Sequence, residues 1–283
     1  MRKSLACFAR ISDPIFDENV THLKRNRTPI PLRLVRLARL ALHLARGLAL
    51  VWLRYPKLSE AGRNAEKRFW SKKLLSILSI SVQEPSAPKK LPERCMLVLN
   101  HISWLDIFVV DASYPATFIA KSEIRGWPLV GWLCTGVGTL YIERGKRSEA
   151  LRARQTIAKE IERGILIALF PEGATTFGRS LEPFHSALFQ PALDAAAALQ
   201  PVALRYLDVA GLHTDAAAYA GEVSFMDSMW AIVSTRHMVA ELNLLEAISA
   251  RGQTRRSLAE KTEAAIAAAL GVPAPQRIPR ARH

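Results

Sequence analysis

The sequence predicts an α/β protein, a sheet with helices packed on it, entered through a basic amphipathic helical arm. Three observations carry this. Short apolar runs alternate with helical patterns from about residue 96 onward, the order of strands and helices that builds an α/β sheet. Of the 283 residues 49% are apolar, enough for one large domain or two small ones and too many for a disordered chain. The charge is lopsided: residues 1–90 carry 19 Lys and Arg against 6 Asp and Glu, so nearly all of the formal net charge of +14 sits there. Such a patch calls for an anionic partner, nucleic acid or a membrane surface.

The arm is assigned to residues 1–82. It opens basic (Arg2, Lys3), but the apolar stretch from Leu5 to Ala9 is too short for a signal peptide. In residues 32–53, Arg33, Arg36, Arg39, His43 and Arg46 recur every three or four positions among Leu, Val, Ala and Trp52. At helical pitch these cations share a face. They also interrupt every run long enough to span a bilayer, so a helix lying in the membrane interface, its basic stripe among anionic headgroups, is expected. An ordinary surface helix packed on the domain has the same pattern. Residues 63–80 extend it, with Arg63, Lys67, Arg68, Lys72 and Lys73 among Phe69, Trp70, Leu74, Leu75, Ile77 and Leu78. No recognition-helix, zinc-finger or RNP-like pattern accompanies these charges, which sets nucleic acid aside as the partner.

Residues 83–93 hold three prolines and four charges and read as a linker. A catalytic domain over 94–250 follows. Its strand candidates are Met96–Leu99, Thr117–Ala120, Thr139–Ile142, Ile165–Phe170, Pro201–Tyr206 and His237–Leu244, with Pro201 tolerated as a first strand residue. Asp106–Ala112, Ser148–Arg163 and Pro191–Leu199 are its helix candidates; Ser148 can cap the second and Gly164 ends it. Residues 251–283 hold an Ala-rich helix over 254–270 and a basic tail. The cysteines Cys7, Cys95 and Cys134 are odd in number and scattered, so neither a disulfide framework nor a zinc site is indicated.

Chemistry concentrates in four places. Leu97-Val-Leu-Asn-His-Ile-Ser-Trp-Leu-Asp106 reads as a strand, a turn and the first turn of a helix. With His101 in the turn and Asp106 in the helix, the carboxylate reaches back to one ring nitrogen. The other nitrogen is left to take a proton from an alcohol. Ser103-x-x-Asp106 is also a capping box, and since a carboxylate has two oxygens the roles are compatible. Ile165 to Thr176 runs a buried strand into Pro171-Glu172-Gly173, a turn beyond a strand's carboxyl end, where ligands gather in open α/β sheets; a solvated turn glutamate fits the same residues. Gly138 to Arg144 delivers an arginine from a strand end and Thr117 to Lys121 a lysine, each a phosphate grip or a plain surface charge. The fourth, Gln200-Pro-Val-Ala203, opens a strand.

In this order the four blocks resemble the 1-acylglycerol-3-phosphate O-acyltransferase family of lysophospholipid and glycerolipid acyltransferases, over roughly residues 65–245. The blocks are Asn100-His101…Asp106, Gly138…Arg144, Phe170-Pro-Glu-Gly173 and Gln200-Pro-Val-Ala203. The wording around Trp104-Leu-Asp-Ile and Gln200-Pro-Val-Ala-Leu-Arg-Tyr206 is similar to proteobacterial members.

The resemblance implies a mixed sheet flanked by helices, His101 as general base and Asp106 as its orienter. It implies Lys121 and Arg144 at the acceptor's phosphate, Glu172 and Gly173 at its glycerol end, and Asn100 and Ser103 among the substrate-binding residues. The donor would be acyl-CoA or acyl carrier protein, attacked directly, with no acyl-enzyme, metal or cofactor. The product would be phosphatidic acid, made from 1-acylglycerol-3-phosphate at its sn-2 hydroxyl on the cytoplasmic face of a bacterial inner membrane. One block departs from the family. Where many members have Glu-Gly-Thr-Arg, this chain has Glu172-Gly-Ala-Thr-Thr176, so the phosphate-binding arginine is missing at position 175. Arg179 is a candidate replacement, and the gap leaves room for another lysolipid, such as lyso-ornithine lipid.

Overall fold

The computed structural model describes residues 28–85, 90–142 and 147–275. Helix α1 (Ile30–Leu53) and helix α2 (Glu60–Ile77, capped by the hydroxyl of Ser59) lead into strand β1 (Ile80–Gln83). There follow β2 (Cys95–Leu99), α3 (Asp106–Ser113), β3 (Thr117–Lys121), α4 (Val130–Gly136), β4 (Leu140–Ile142), α5 (Arg147–Glu162) and β5 (Ile167–Leu169). Then come α6 (Gln190–Asp194), β6 (Ala198–Leu207), α7 (Phe225–Ser234), β7 (Met238–Leu244), β8 (Ile248–Ser249) and α8 (Arg255–Leu270).

Among the described residues the strands form one sheet in the order β1-β7-β6-β2-β5-β3-β4, with β8 pairing β6 beside β7. β6, β2, β5, β3 and β4 run parallel, and β7 and β8 oppose β6, so the sheet is mixed as expected. Alternate residues of β2 point to opposite faces. Leu97 and Leu99 join Leu74, Leu75, Val109, Val110 and Ile232 in one core cluster; Met96 and Val98 join Ile157, Ile161, Phe189 and Ile266 in the other. Each such buried aliphatic contributes roughly 1.5–3 kcal/mol, so strand β2 is held from both sides. The carboxyl ends of neighbouring parallel strands β2 and β5 therefore emerge side by side, and their following turns, His101 and Pro171–Gly173, face each other.

Three expectations are corrected: the outward basic stripe of α1, the helix Pro191–Leu199 and Pro201 as a first strand residue. The strands on either side of the expected linker 83–93 belong to one sheet: β1 pairs in parallel with β7 through Ile80↔Met238 to Gln83↔Glu241, and β2 lies two strands further on. Helix α2 is likewise core, through Leu74, Leu75 and Ile77.

The basic stripe of α1 does not face outward as a unit. Arg36 and His43 are buried, and only Arg39 and Arg46 are well exposed. The guanidinium of Arg36 donates to the carbonyls of Val233, Thr235 and Arg236 and to the hydroxyls of Thr28 and Ser79. The end of α7 leaves carbonyls without helical partners, and a cation satisfies them better than water can in a buried position. His43 stacks on Trp70 at 4.5 Å, and its Nε2 lies 3.0 Å from the Trp70 carbonyl. What α1 turns outward is apolar: Ile30, Leu32, Leu34, Val35, Leu42, Trp52 and Leu53 are exposed.

The expected helix Pro191–Leu199 stops at Asp194. Ala196 takes φ 46°, and Ala198 enters the ladder with Cys95 of β2, so sheet pairing overrides the helix preference of the alanine run. Pro201 lies inside β6 rather than at its start. It is tolerated because its missing N–H falls between the β8 pairing (Leu199↔Ile248) and the β7 pairing (Val202↔Leu244), where the register shifts by one residue.

Candidate active site

β2 ends on Leu99 and the chain turns through Asn100 and His101 into α3. Nδ1 of His101 lies 2.8 Å from Oδ2 of Asp106, the first residue of α3. That oxygen also accepts the main-chain N–H groups of Ile102 (2.7 Å) and Ser103 (3.0 Å), while Oδ1 accepts the phenol of Tyr206 (2.8 Å). Four donors converge on one carboxylate whose side chain is 0% exposed. A group that only accepts is what this environment suits, so the proton between it and His101 belongs to Nδ1. Among the described residues Nε2 makes no hydrogen bond, and the His101 side chain is 21% exposed. The imidazole stacks on Phe170 with centroids 4.0 Å apart and an interplanar angle of 13°, which fixes its plane.

The turn after β5 grips the same segment. Oε1 of Glu172 accepts the His101 main-chain N–H at 2.7 Å and Oε2 that of Glu182 at 2.9 Å. The His101 carbonyl accepts from the Thr176 main-chain N–H at 2.8 Å. Burial pushes the Glu172 carboxyl up to about 7, against the two main-chain donors, which pull it down. Gly173 follows at φ 75°, a left-handed turn position that a side chain would strain.

The expected residues divide. His101, Asp106, Glu172 and Gly173 come together. Lys121 stands exposed at the carboxyl end of β3, two strands from β2 on the same edge of the sheet. Arg144 lies outside the described residues. Asn100 is corrected from substrate contact to bracket. It is buried, its amide donating to the Leu204 carbonyl (2.9 Å) and accepting the Leu204 N–H (2.8 Å), which extends the β2–β6 pairing past the strand end. Ser103 is corrected too: buried, its hydroxyl accepts the N–H of Leu105 at 3.2 Å. Arg179 is exposed and paired to Asp215 at 2.9 Å, and Asp215 also meets Nε2 of His213 at 3.0 Å. The Thr175 hydroxyl, at the position of the family's missing arginine, bonds to the Tyr219 carbonyl.

Two contributors were not singled out from the sequence. Phe170 stands in the sequence as the first residue of the Pro-Glu-Gly block and Tyr206 as the end of the Gln200-Pro-Val-Ala block's strand, neither with a role at the site.

An orienting carboxylate and an imidazole with a free nitrogen suit general acid–base chemistry of the kind that group-transfer enzymes use. The comparisons place the chain in that class. A family model described as Acyltransferase matches residues 81–205. The 1-acyl-sn-glycerol-3-phosphate acyltransferase of Neisseria gonorrhoeae is 36% identical over 195 residues, 69% of this chain and 76% of the relative. The lyso-ornithine lipid O-acyltransferase of Pseudomonas aeruginosa is 36% identical over 215 residues, 76% and 82%. Among solved structures, the 1-acyl-sn-glycerophosphate acyltransferase of Thermotoga maritima superposes with a TM-score of 0.60 at 19% identity, covering 84% of this chain and 96% of that one, a likeness of fold. The chain belongs to the 1-acylglycerol-3-phosphate O-acyltransferase family of lysophospholipid and glycerolipid acyltransferases, and it is an acyltransferase.

Proposed function

We propose that the chain transfers a fatty acyl group from acyl-CoA or acyl carrier protein to the sn-2 hydroxyl of 1-acylglycerol-3-phosphate, giving phosphatidic acid. The observation that carries this reading is the 2.8 Å contact between Nδ1 of His101 and Asp106 with Nε2 left open. Nε2 takes the hydroxyl proton as the oxygen attacks the thioester carbonyl; Asp106 stabilises the imidazolium that forms. The C–S bond then breaks, the thiolate takes the proton back from Nε2, and ester and thiol leave together.

A second acceptor has specific support. No cation occupies position 175, where Thr175 bonds to Tyr219, and the nearby Arg179 is paired with Asp215. An acceptor without a terminal phosphomonoester, lyso-ornithine lipid above all, suits that environment.

The reaction belongs at a membrane surface, the cytoplasmic face of a bacterial inner membrane in this reading. Among the described residues no helix is long and apolar enough to cross a membrane. Helix α1, however, exposes Trp52, Leu53, Leu42 and Leu34, and the adjoining α4 and α7 add Trp132, Phe225, Met226 and Trp230. Exposed apolar surface of this extent, edged by Arg39 and Arg46, is suited to insertion among anionic headgroups.

The test is to incubate purified protein with palmitoyl-CoA and a panel of lysolipids and to identify products by mass spectrometry. Acylated 1-acylglycerol-3-phosphate is the expected product. Acylation of lyso-ornithine lipid alone would select the second acceptor, and no acylated lysolipid would end both readings.

A further inference from the structure

We propose that Tyr206 is a positioning residue for acyl transfer, its phenol holding the far oxygen of Asp106 so that the carboxylate stays aimed at His101. The proposal rests on the reading of His101 and Asp106 as base and orienter.

Tyr206 sits on β6, one strand over from the His101 turn, and is fully buried. Its register partner on β7 is Ala240, and it packs in the cluster that holds Leu97, Leu99 and Val109. That setting alone asks for an apolar ring, and phenylalanine would fill it. A hydroxyl placed there loses its water and must regain a partner inside. The partner is Oδ1 of Asp106 at 2.8 Å. Burial and the neighbouring carboxylate both push the phenol well above its ordinary range, so it remains a donor whenever the enzyme works.

Without that donor, Oδ1 would have no partner among the described residues, and the carboxylate would be anchored on one oxygen only. Its charge would concentrate on Oδ2, stabilising the imidazolium and making His101 harder to deprotonate. The titratable groups facing the pair are Glu172, from the turn after β5, and Tyr206 itself. From the connection after β6, His213 and Asp215 pair with each other, and Arg205 of β6 pairs with Glu241 of β7.

The test compares Tyr206→Phe, His101→Ala and the unchanged protein with palmitoyl-CoA and whichever lysolipid of the panel the unchanged protein acylates faster. Tyr206→Phe is expected to lower kcat about tenfold, the scale of one hydrogen bond to a charged group, with KM for both substrates held within about twofold. The acidic limb of its kcat/KM profile should move to higher pH. Site-specific 3-fluorotyrosine at position 206 keeps the shape and makes the phenol a stronger donor, so its acidic limb should move to lower pH; this variant decides the matter if Tyr206→Phe does not fold. An inactive His101→Ala beside limbs that stay put in both Tyr206 variants would overturn the proposal and leave the base reading standing. An active His101→Ala would overturn both.

Discussion

Oδ2 of Asp106 stands 2.8 Å from Nδ1 of His101, and the same oxygen holds the main-chain N–H groups of Ile102 and Ser103. One atom thus fixes both the ring and the turn that carries it. Asp106→Asn keeps the volume but removes the charge. If its oxygen stays on the Ile102 side, its amide faces Tyr206 and reverses that hydrogen bond. The expected result is a fall in kcat on the order of 10³- to 10⁴-fold with KM little changed, by analogy with loss of the orienting carboxylate in other His-based sites. Steady-state kinetics with a thermal melt on the same sample checks it; activity within about threefold of the unchanged protein would remove Asp106 from the mechanism.

Glu172 gives a prediction with a definite pH window. Its carboxyl ordinarily titrates near 4.5 and is pushed up to about 7 in the fold. Between these values the folded protein holds a proton that the unfolded chain has released, so stability falls as pH rises from about 4.5 to 7 and stays low above. The shift corresponds to roughly 3 kcal/mol at most. Glu172→Gln cannot titrate, and its amide leaves one of the two main-chain donors without an acceptor, a cost of about 1–3 kcal/mol. The variant should therefore be less stable than the unchanged protein at pH 5, with the gap narrowing or reversing by pH 8. Asp111, buried and also pushed up to about 7, titrates in both proteins, so only the difference between their melting curves reports on Glu172. A gap constant from pH 5 to 8 would contradict the assignment.

Much of this was legible in the chain, and the misses share a cause. Strands β2 and β5 announce themselves as apolar runs because these central parallel strands are buried on both faces. His101, Asp106 and Glu172 were legible because their local order already places His101 and Glu172 in turns beyond strand ends and Asp106 at the start of the helix that follows. Asn100 and Ser103 stand in the same motif, yet their side chains serve the backbone, a role that spacing cannot separate from substrate contact. Tyr206 reaches Asp106 across a hundred residues, and a hydrogen bond made through sheet order leaves no local trace. The same holds for Arg36: a cation repeating at helical pitch looks solvent-bound until the carbonyls at the end of α7 come into view.

Arg36 therefore predicts a stability effect where a surface arginine would give none. Arg36→Met keeps the length of the side chain and removes donors from three carbonyls and two hydroxyls. Buried acceptors left bare cost about 1–3 kcal/mol each where water cannot reach them, so a loss of about 3–5 kcal/mol is expected. Exposed Arg39→Met should change stability by less than about 0.5 kcal/mol. Denaturant unfolding of the two variants distinguishes them, and equal stability would mean that α1 is not clamped through Arg36.

The outward face of α1 carries the last prediction. Trp52 is 72% exposed, Leu42 65% and Leu53 57%, while the side of α1 turned to the protein is held by Arg36, Leu40, His43 and Val51. Helix α1 therefore presents its greasy side away from the fold, an arrangement that water disfavours and a lipid surface rewards. Each large apolar side chain moved from water into the acyl boundary contributes roughly 1.5–3 kcal/mol. A triple variant with Leu42, Trp52 and Leu53 each changed to Ser should bind vesicles containing anionic lipid at least about a hundredfold more weakly. Its melting temperature should stay where it was or rise, because none of the three is buried against the protein. Raising salt should weaken the unchanged protein only in part, since Arg39 and Arg46 act through screened charge and the apolar face does not. Sedimentation with vesicles at two salt concentrations measures both effects, and full retention of binding by the triple variant would mean that the membrane is met by another surface.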